Sequence, residues 1–203
     1  MKLYDYPRSP NARRVRIFLA EKGIDVPLEP VDITRGESRT PLYLARNPMG
    51  QVPLLELDDG TYLAESVAIC RYFEEVQPQR PLFGTTPRSK AEVEMWARRV
   101  ELDLFAPMLT VWKHSDPAWA GRSPQVPEVA AVERARAVHC FGVLNDALAD
   151  REFLAGDRFS VADILGLCTI DFGSAAADVG PDRGLAHISR WHAAMLARPS
   201  ARA

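Results

Sequence analysis

Three short stretches of the 203-residue chain carry side chains able to bind or activate a small polar ligand. The first is Ser9-Pro10-Asn11, where an apolar-alternating run (residues 1–6) meets an amphipathic run (residues 10–22). Ser9 stands at an N-cap position, and Pro10 at a first helical position, where a missing N–H costs nothing. A strand-to-helix junction of this kind aims free N–H groups and the positive end of a helix dipole at one point. Ser9 and Asn11 can donate hydrogen bonds to an anion held there, and a plain capping role for Ser9 fits the same residues. The second stretch is Gln51-Val52-Pro53 at the head of a short strand, where a proline either starts the strand or is cis and shapes a site. The third is Glu65-Ser66 at the start of another helix. It either offsets the helix dipole or receives a ligand's ammonium and carboxylate.

The elements that must position these residues are legible in the same pattern. Ala12, Val15, Phe18, Leu19 and Lys22 share one face of the first helix, and Gly23 is a C-terminal stop. Residues 26–31 read as a second strand, which Pro27 and Pro30 confine to an edge or an irregular course. A crossover this short implies a right-handed parallel pair. Residues 32–40 are polar loop, residues 41–46 hold one or two helical turns, and Asn47-Pro48-Met49-Gly50 is turn chemistry. Residues 51–57 and 61–63 form a hairpin around Asp58-Asp59-Gly60. Val67, Ile69, Tyr72, Phe73 and Val76 give the third helix its apolar face.

Composition narrows the classes. Hydrophobic residues make up 47%, charged residues 26%, and the net charge is -2, so nothing global points to nucleic acid or an anionic membrane. No apolar run reaches membrane-spanning length, and residues 1–6 carry no signal-peptide core. Cys70, Cys140 and Cys168 are far apart and lie in apolar helical patterns, so buried free thiols and a reducing cytoplasm are expected. His187 and His192 do not share a helix face, His139 reads as a core or surface histidine, and no ligand-spaced His/Cys set occurs. No metal is expected.

Residues 77–87 hold Pro78, Pro81, Gly84 and Pro87 and read as a linker. Beyond them almost everything is helical: residues 88–114, broken or kinked near Pro107, then 129–148, a helix opened by Ser160 and Asp163, and 185–196. Ser160 and Asp163 form a capping-box variant, with Phe159 and Ile164 as a staple. The resulting division is 1–77, a linker 78–87, and 88–203.

Four features in order resemble the cytosolic glutathione transferases. They are Ser9-Pro10-Asn11, Asn47-Pro48 with Gly50-Gln51-Val52-Pro53, the Asp58–Gly60 hairpin, and Glu65-Ser66 with Ile69 and Tyr72. The resemblance implies an α/β thioredoxin-like N-terminal domain that binds glutathione and an all-α C-terminal helical domain. It makes Pro53 cis, gives the cysteinyl part of glutathione to the Val52 backbone, and gives the γ-glutamyl group to Glu65, Ser66 and Gln51. Arg39, with Ser38 nearby, is the candidate for the glycyl carboxylate. The Ser-Pro-Asn sequence is similar to bacterial nu-like and theta-like branches. Tyr4 and Tyr6 rank second to Ser9 as hydroxyl donors. No cysteine stands at or beside Ser9, and the Ser-Ser-Cys of the zeta isomerases is missing, so maleylacetoacetate isomerisation is not expected.

The chemistry so implied is activation of a thiol. Free thiol has a pKa near 8.5, so only roughly 3% is thiolate at pH 7. A downward shift of about two units requires about 2.7 kcal/mol. Ser9, Asn11 and the helix start would supply it, with Ser9 as donor and not as covalent nucleophile. Phe105, Met108 and Trp112 are candidates for lining a pocket for a small hydrophobic electrophile, the alternative for each being plain core. Glutathione-dependent disulfide reduction or peroxide reduction is the alternative activity, and a non-catalytic glutathione-binding module the alternative class. The family implies a homodimer, with Arg71, Glu74, Glu75 and the start of the helix at Arg88 as candidate surface.

Overall fold

The computed structural model describes all 203 residues, which fall into two compact units: 1–81 with 199–203, and 82–198. The first unit follows the order strand, helix, strand, helical turns, strand, strand, helix. Its elements are β1 (Lys2–Asp5), α1 (Pro10–Lys22), β2 (Leu28–Pro30), α2 (Pro41–Leu44), β3 (Leu54–Glu56), β4 (Tyr62–Ala64) and α3 (Ser66–Val76). The sheet order is β2-β1-β3-β4. β1 runs parallel to β2 with Leu3 opposite Leu28, and antiparallel to β3 with Leu3 opposite Leu55. β3 and β4 form the hairpin expected around Asp58-Asp59-Gly60. β2 is an edge strand, as its prolines require, and is only three residues long.

Strand alternation splits the core of this unit in two. Tyr4 and Leu54 join Val31, Tyr43 and Val52 in a cluster on one face. Leu3 and Leu55 point to the other, and the fully buried Ala12, Val15 and Phe18 of α1 and Ile69 of α3 belong to helices that pack on each other. Gly23 ends α1 in the left-handed conformation, its neighbour Ile24 donating back to Leu19. Two features of this unit were not expected. Glu74 is turned inward, where its carboxylate accepts from the buried Lys22 ammonium at 2.7 Å, so it is not part of an outer surface. Residues 199–203, read from sequence as the end of the helical segment, group instead with the first unit. There Arg13 donates to the Ala201 carbonyl at 3.0 Å and Ser200 to Glu21.

The second unit is helical: α4 (Pro87–Arg99), α5 (Ala106–Ser115), α6 (Pro127–Ala147), α7 (Val161–Phe172) and α8 (Ala186–Leu196). α4 starts one residue earlier than its sequence suggests, because Thr86 and Ser89 cap each other reciprocally around Pro87. Between α4 and α5 the chain is a π-helix over Val100–Phe105. This is the break expected near Pro107, displaced one turn toward the N-terminus. A proline at 107 has no N–H for the carbonyl of residue 103 and crowds it, so the preceding turn widens. α7 is buried on every side, which its apolar sequence demands.

Asp163 organises this unit. It is fully buried, and its Oδ2 accepts from the Ser160 N–H at 2.9 Å and the Ser160 hydroxyl at 3.0 Å. Its Oδ1 accepts from Leu154 N–H and Trp191 Nε1, both at 2.9 Å. The box expected from Ser160 and Asp163 therefore acts mainly through the carboxylate, with the serine hydroxyl as donor. Burial pushes the Asp163 carboxyl above its ordinary range, against the four donors that hold it down. Phe159 packs edge-on against Phe153, with ring centroids 5.9 Å apart.

Candidate active site

The pocket of the first unit is lined by Asn11, Asn47, Gln51, Val52, Pro53, Ala64, Glu65 and Ser66. Two helix starts converge on it. Asn11 is the second residue of α1 and Ser66 the first of α3, and neither first turn contains an acid. The dipoles of the two helix starts give the pocket a positive bias, while Glu65 supplies one carboxylate. Such a pair of features suits a ligand carrying both anionic and ammonium groups.

Each lining residue is held by its neighbours. The Val52–Pro53 peptide is cis. Val52 forms no main-chain hydrogen bond within the chain, since β3 begins only at Leu54. The carbonyl of Gln51 accepts from the Tyr43 hydroxyl at 2.8 Å and from Asn47 Nδ2 at 2.9 Å. Asn47 Oδ1 also accepts from the Met49 N–H at 3.2 Å. Glu65 has φ 69° and ψ 118°, a conformation that costs a non-glycine residue of order 1–3 kcal/mol and clusters at ligand sites.

The expected residues separate into those that meet and those that do not. Asn11, Gln51, Val52, Pro53, Glu65 and Ser66 share the pocket. Ser9 does not line it. Its Oγ accepts from the Ala12 N–H at 3.3 Å as the cap of α1, and its own N–H donates to Tyr6. Asn11 Oδ1, by contrast, is buried with no partner. Arg39 is exposed and lies outside the lining, donating to the Met49 carbonyl at 3.1 Å. Tyr4 is committed elsewhere, donating to Glu56 at 2.6 Å and accepting from Arg46 at 2.8 Å. The loop before Ser9 is clamped by Arg16, which binds both Asp5 and the Pro7 carbonyl. Asn47 and Ala64 were missed from sequence. Asn47 carried a signal, since it stands in the Asn-Pro turn, but its reading stopped at the turn.

In the second unit, the three electrophile candidates lie together in one region. Phe105 packs on Phe172 at 5.6 Å between ring centroids, and Trp112 meets the same ring edge-on at 5.6 Å. Trp112 also meets Trp119 at 5.0 Å and donates Nε1 to Asp116 at 2.8 Å. Met108 is fully buried beside Gly173, in the plain core position. Phe172 and Trp119 complete the cluster and were not expected. No group of three His, Cys, Asp or Glu side chains is placed to hold a metal ion.

A thioredoxin-like α/β unit with a pocket at paired helix starts is joined in one chain to an all-helical unit. Comparison with known proteins narrows the class. Residues 8–76 match the glutathione S-transferase N-terminal domain, and residues 109–199 match the C-terminal domain. Glutathione S-transferase 2 of Saccharomyces cerevisiae is 35% identical over 207 residues, covering 98% of this chain and 87% of the relative. A maleylacetoacetate isomerase of Pseudomonas aeruginosa is 37% identical over 183 residues, covering 80% and 84%. The crystal structure of a glutathione S-transferase domain-containing protein from Marinobacter aquaeolei superposes with a TM-score of 0.92 at 39% identity, over 99% of this chain and all of that one. The chain belongs to the glutathione transferase family.

Proposed function

We propose that the pocket of the first unit holds glutathione and that its thiol is activated at the start of α1 for attack on a small electrophile. The activity is glutathione transfer, that of the family to which the chain belongs. One observation carries the assignment: Asn11, the Val52–Pro53 main chain, Glu65 and Ser66 line one pocket although they are far apart in sequence.

Glu65 receives the ligand's α-ammonium. Ser66 and the N–H groups of the first turn of α3 receive its α-carboxylate. The free N–H and C=O of Val52 pair with the cysteinyl residue as a strand would. The sulfur then lies toward Asn11 and the start of α1. There the amide and the helix dipole favour thiolate over thiol, each charged hydrogen bond contributing roughly 1.5–3 kcal/mol. The thiolate attacks an electrophilic carbon and the leaving group departs with its electron pair. Ser9 holds the helix start in place and forms no covalent bond. The relative named as an isomerase does not alter this reading, because Ser9-Pro10-Asn11 brings no cysteine to the pocket.

The protein works as a cytoplasmic homodimer. Three free buried cysteines support a reducing compartment. Val132 and Val143 are exposed on α6 and line a groove with Arg99, Asp103 and Cys140, which supports a partner surface there.

The deciding assay offers an aryl halide and a glutathione mixed disulfide to the wild type, Ser9→Ala and Asn11→Ala. Conjugation that falls in the Asn11 variant supports thiolate activation. Turnover of the disulfide alone assigns the reductase activity instead. Binding of glutathione with no turnover of either assigns a non-catalytic module.

A further inference from the structure

The carbonyl of Gln51 is held by two donors from buried side chains, and nothing in the transfer reaction as derived above calls for them. Tyr43 is 5% exposed and Asn47 3%. Their hydroxyl and amide converge on that one oxygen at 2.8 and 2.9 Å. Two buried side chains spent on one acceptor at the residue before Val52 fix the plane of the Gln51–Val52 peptide. That plane sets the direction of the unpaired Val52 N–H. We infer that Tyr43 and Asn47 are positioning residues that aim the Val52 main chain at a peptide ligand, so that affinity for glutathione is set by a clamp in the pocket wall, with Asn47 in the lining and Tyr43 behind it. This rests on the reading of the pocket as a glutathione site.

The clamp is tied into its surroundings at both ends. The Tyr43 ring packs edge-on against Tyr4, with centroids 5.9 Å apart, so removing the hydroxyl leaves the ring in place. Asn47 is pinned by its own N–H to the Tyr43 carbonyl and by its Oδ1 to Met49. Burial pushes the Tyr43 phenol up to about 12, so it remains a donor throughout the working pH range. Gly50 closes the turn at φ 59°, where a Cβ would meet the Ser38 carbonyl at 2.8 Å, leaving the loop no easy alternative path.

The test uses the full chain and steady-state kinetics with Tyr43→Phe, Asn47→Ala and the double variant. Each single variant should raise KM for glutathione roughly three- to tenfold with kcat at saturating glutathione kept within about twofold, since one hydrogen bond is lost. The double variant should fall short of the product, because both act on one carbonyl. A second probe is glutathione with the cysteinyl–glycyl amide replaced by an alkene isostere, which offers the Val52 N–H no acceptor. The wild type should discriminate against it more strongly than Tyr43→Phe does. Unchanged KM in both single variants, or a lowered Tm with KM unchanged, overturns the inference and leaves the site reading standing. Calorimetric absence of glutathione binding by the wild type overturns the site reading and this inference with it.

Discussion

Ser9 spends its oxygen on the Ala12 N–H, whereas Asn11 Oδ1 is buried in the pocket lining with no partner. Asn11 lines the pocket, and of its side-chain atoms only the amide Nδ2 can donate to a bound sulfur. The two residues should therefore respond differently to substitution. Asn11→Ala is expected to lower kcat/KM about 10- to 100-fold at little cost in Tm. Ser9→Ala should remove about 1 kcal/mol of cap energy, lowering Tm by about 2–4 °C, with a smaller effect on turnover. Equal kinetic losses in both would reverse this assignment. Tyr43 makes a separate prediction. Its buried phenol titrates at about 12, above its ordinary 10. The native state thus holds this proton more tightly than the unfolded chain. The stability it contributes is complete below pH 10 and lost as pH rises toward 12. Chemical denaturation across that range should show Tyr43→Phe losing less stability than the wild type, and identical slopes would contradict the burial argument.

At the scale of elements, the helices do two kinds of work. α1 and α3 deliver their starts to the pocket, and α7 forms the centre of the second unit through Asp163. Four donors on one buried carboxylate leave no place for an amide's own hydrogens. Asp163→Asn should leave two donors facing N–H groups and cost about 2–4 kcal/mol, read as a fall in Tm. A loss under about 0.5 kcal/mol would show that the network relaxes. This element also shows what sequence could and could not tell. Ser160 and Asp163 announce a helix start by local spacing, so the cap was legible. That Asp163 also receives Leu154 and Trp191 depends on tertiary packing and carries no local signature. The same boundary divides the pocket. Ser9-Pro10-Asn11, Val52-Pro53 and Glu65-Ser66 are short-range signals and were readable, whereas which of them line the pocket depends on packing. Arg39 illustrates the limit further, since its loop brings it to the Met49 carbonyl and nothing in its neighbours announces that. The turn of π-helix was legible as a break at Pro107, but its displacement to residues 100–105 arises from the proline's effect on the preceding turn.

No helix is long and apolar enough to cross a membrane. The groove beside α6 is lined in part by Val132, which is 62% exposed, and by Val143. Sedimentation equilibrium should therefore give about twice the 22.6 kDa chain mass, and Val132→Glu should shift it toward the monomer. A wild-type monomer at micromolar concentration would remove the case for a homodimer.

The central claim is that the start of α1, with Asn11, converts bound glutathione to its thiolate. The most direct measurement is the ultraviolet thiolate absorbance of the complex titrated against pH. The account predicts that the bound thiol titrates well below the free value near 8.5, and that Asn11→Ala moves it back upward while glutathione still binds. A bound thiol that titrates at the free value in the wild type would contradict it.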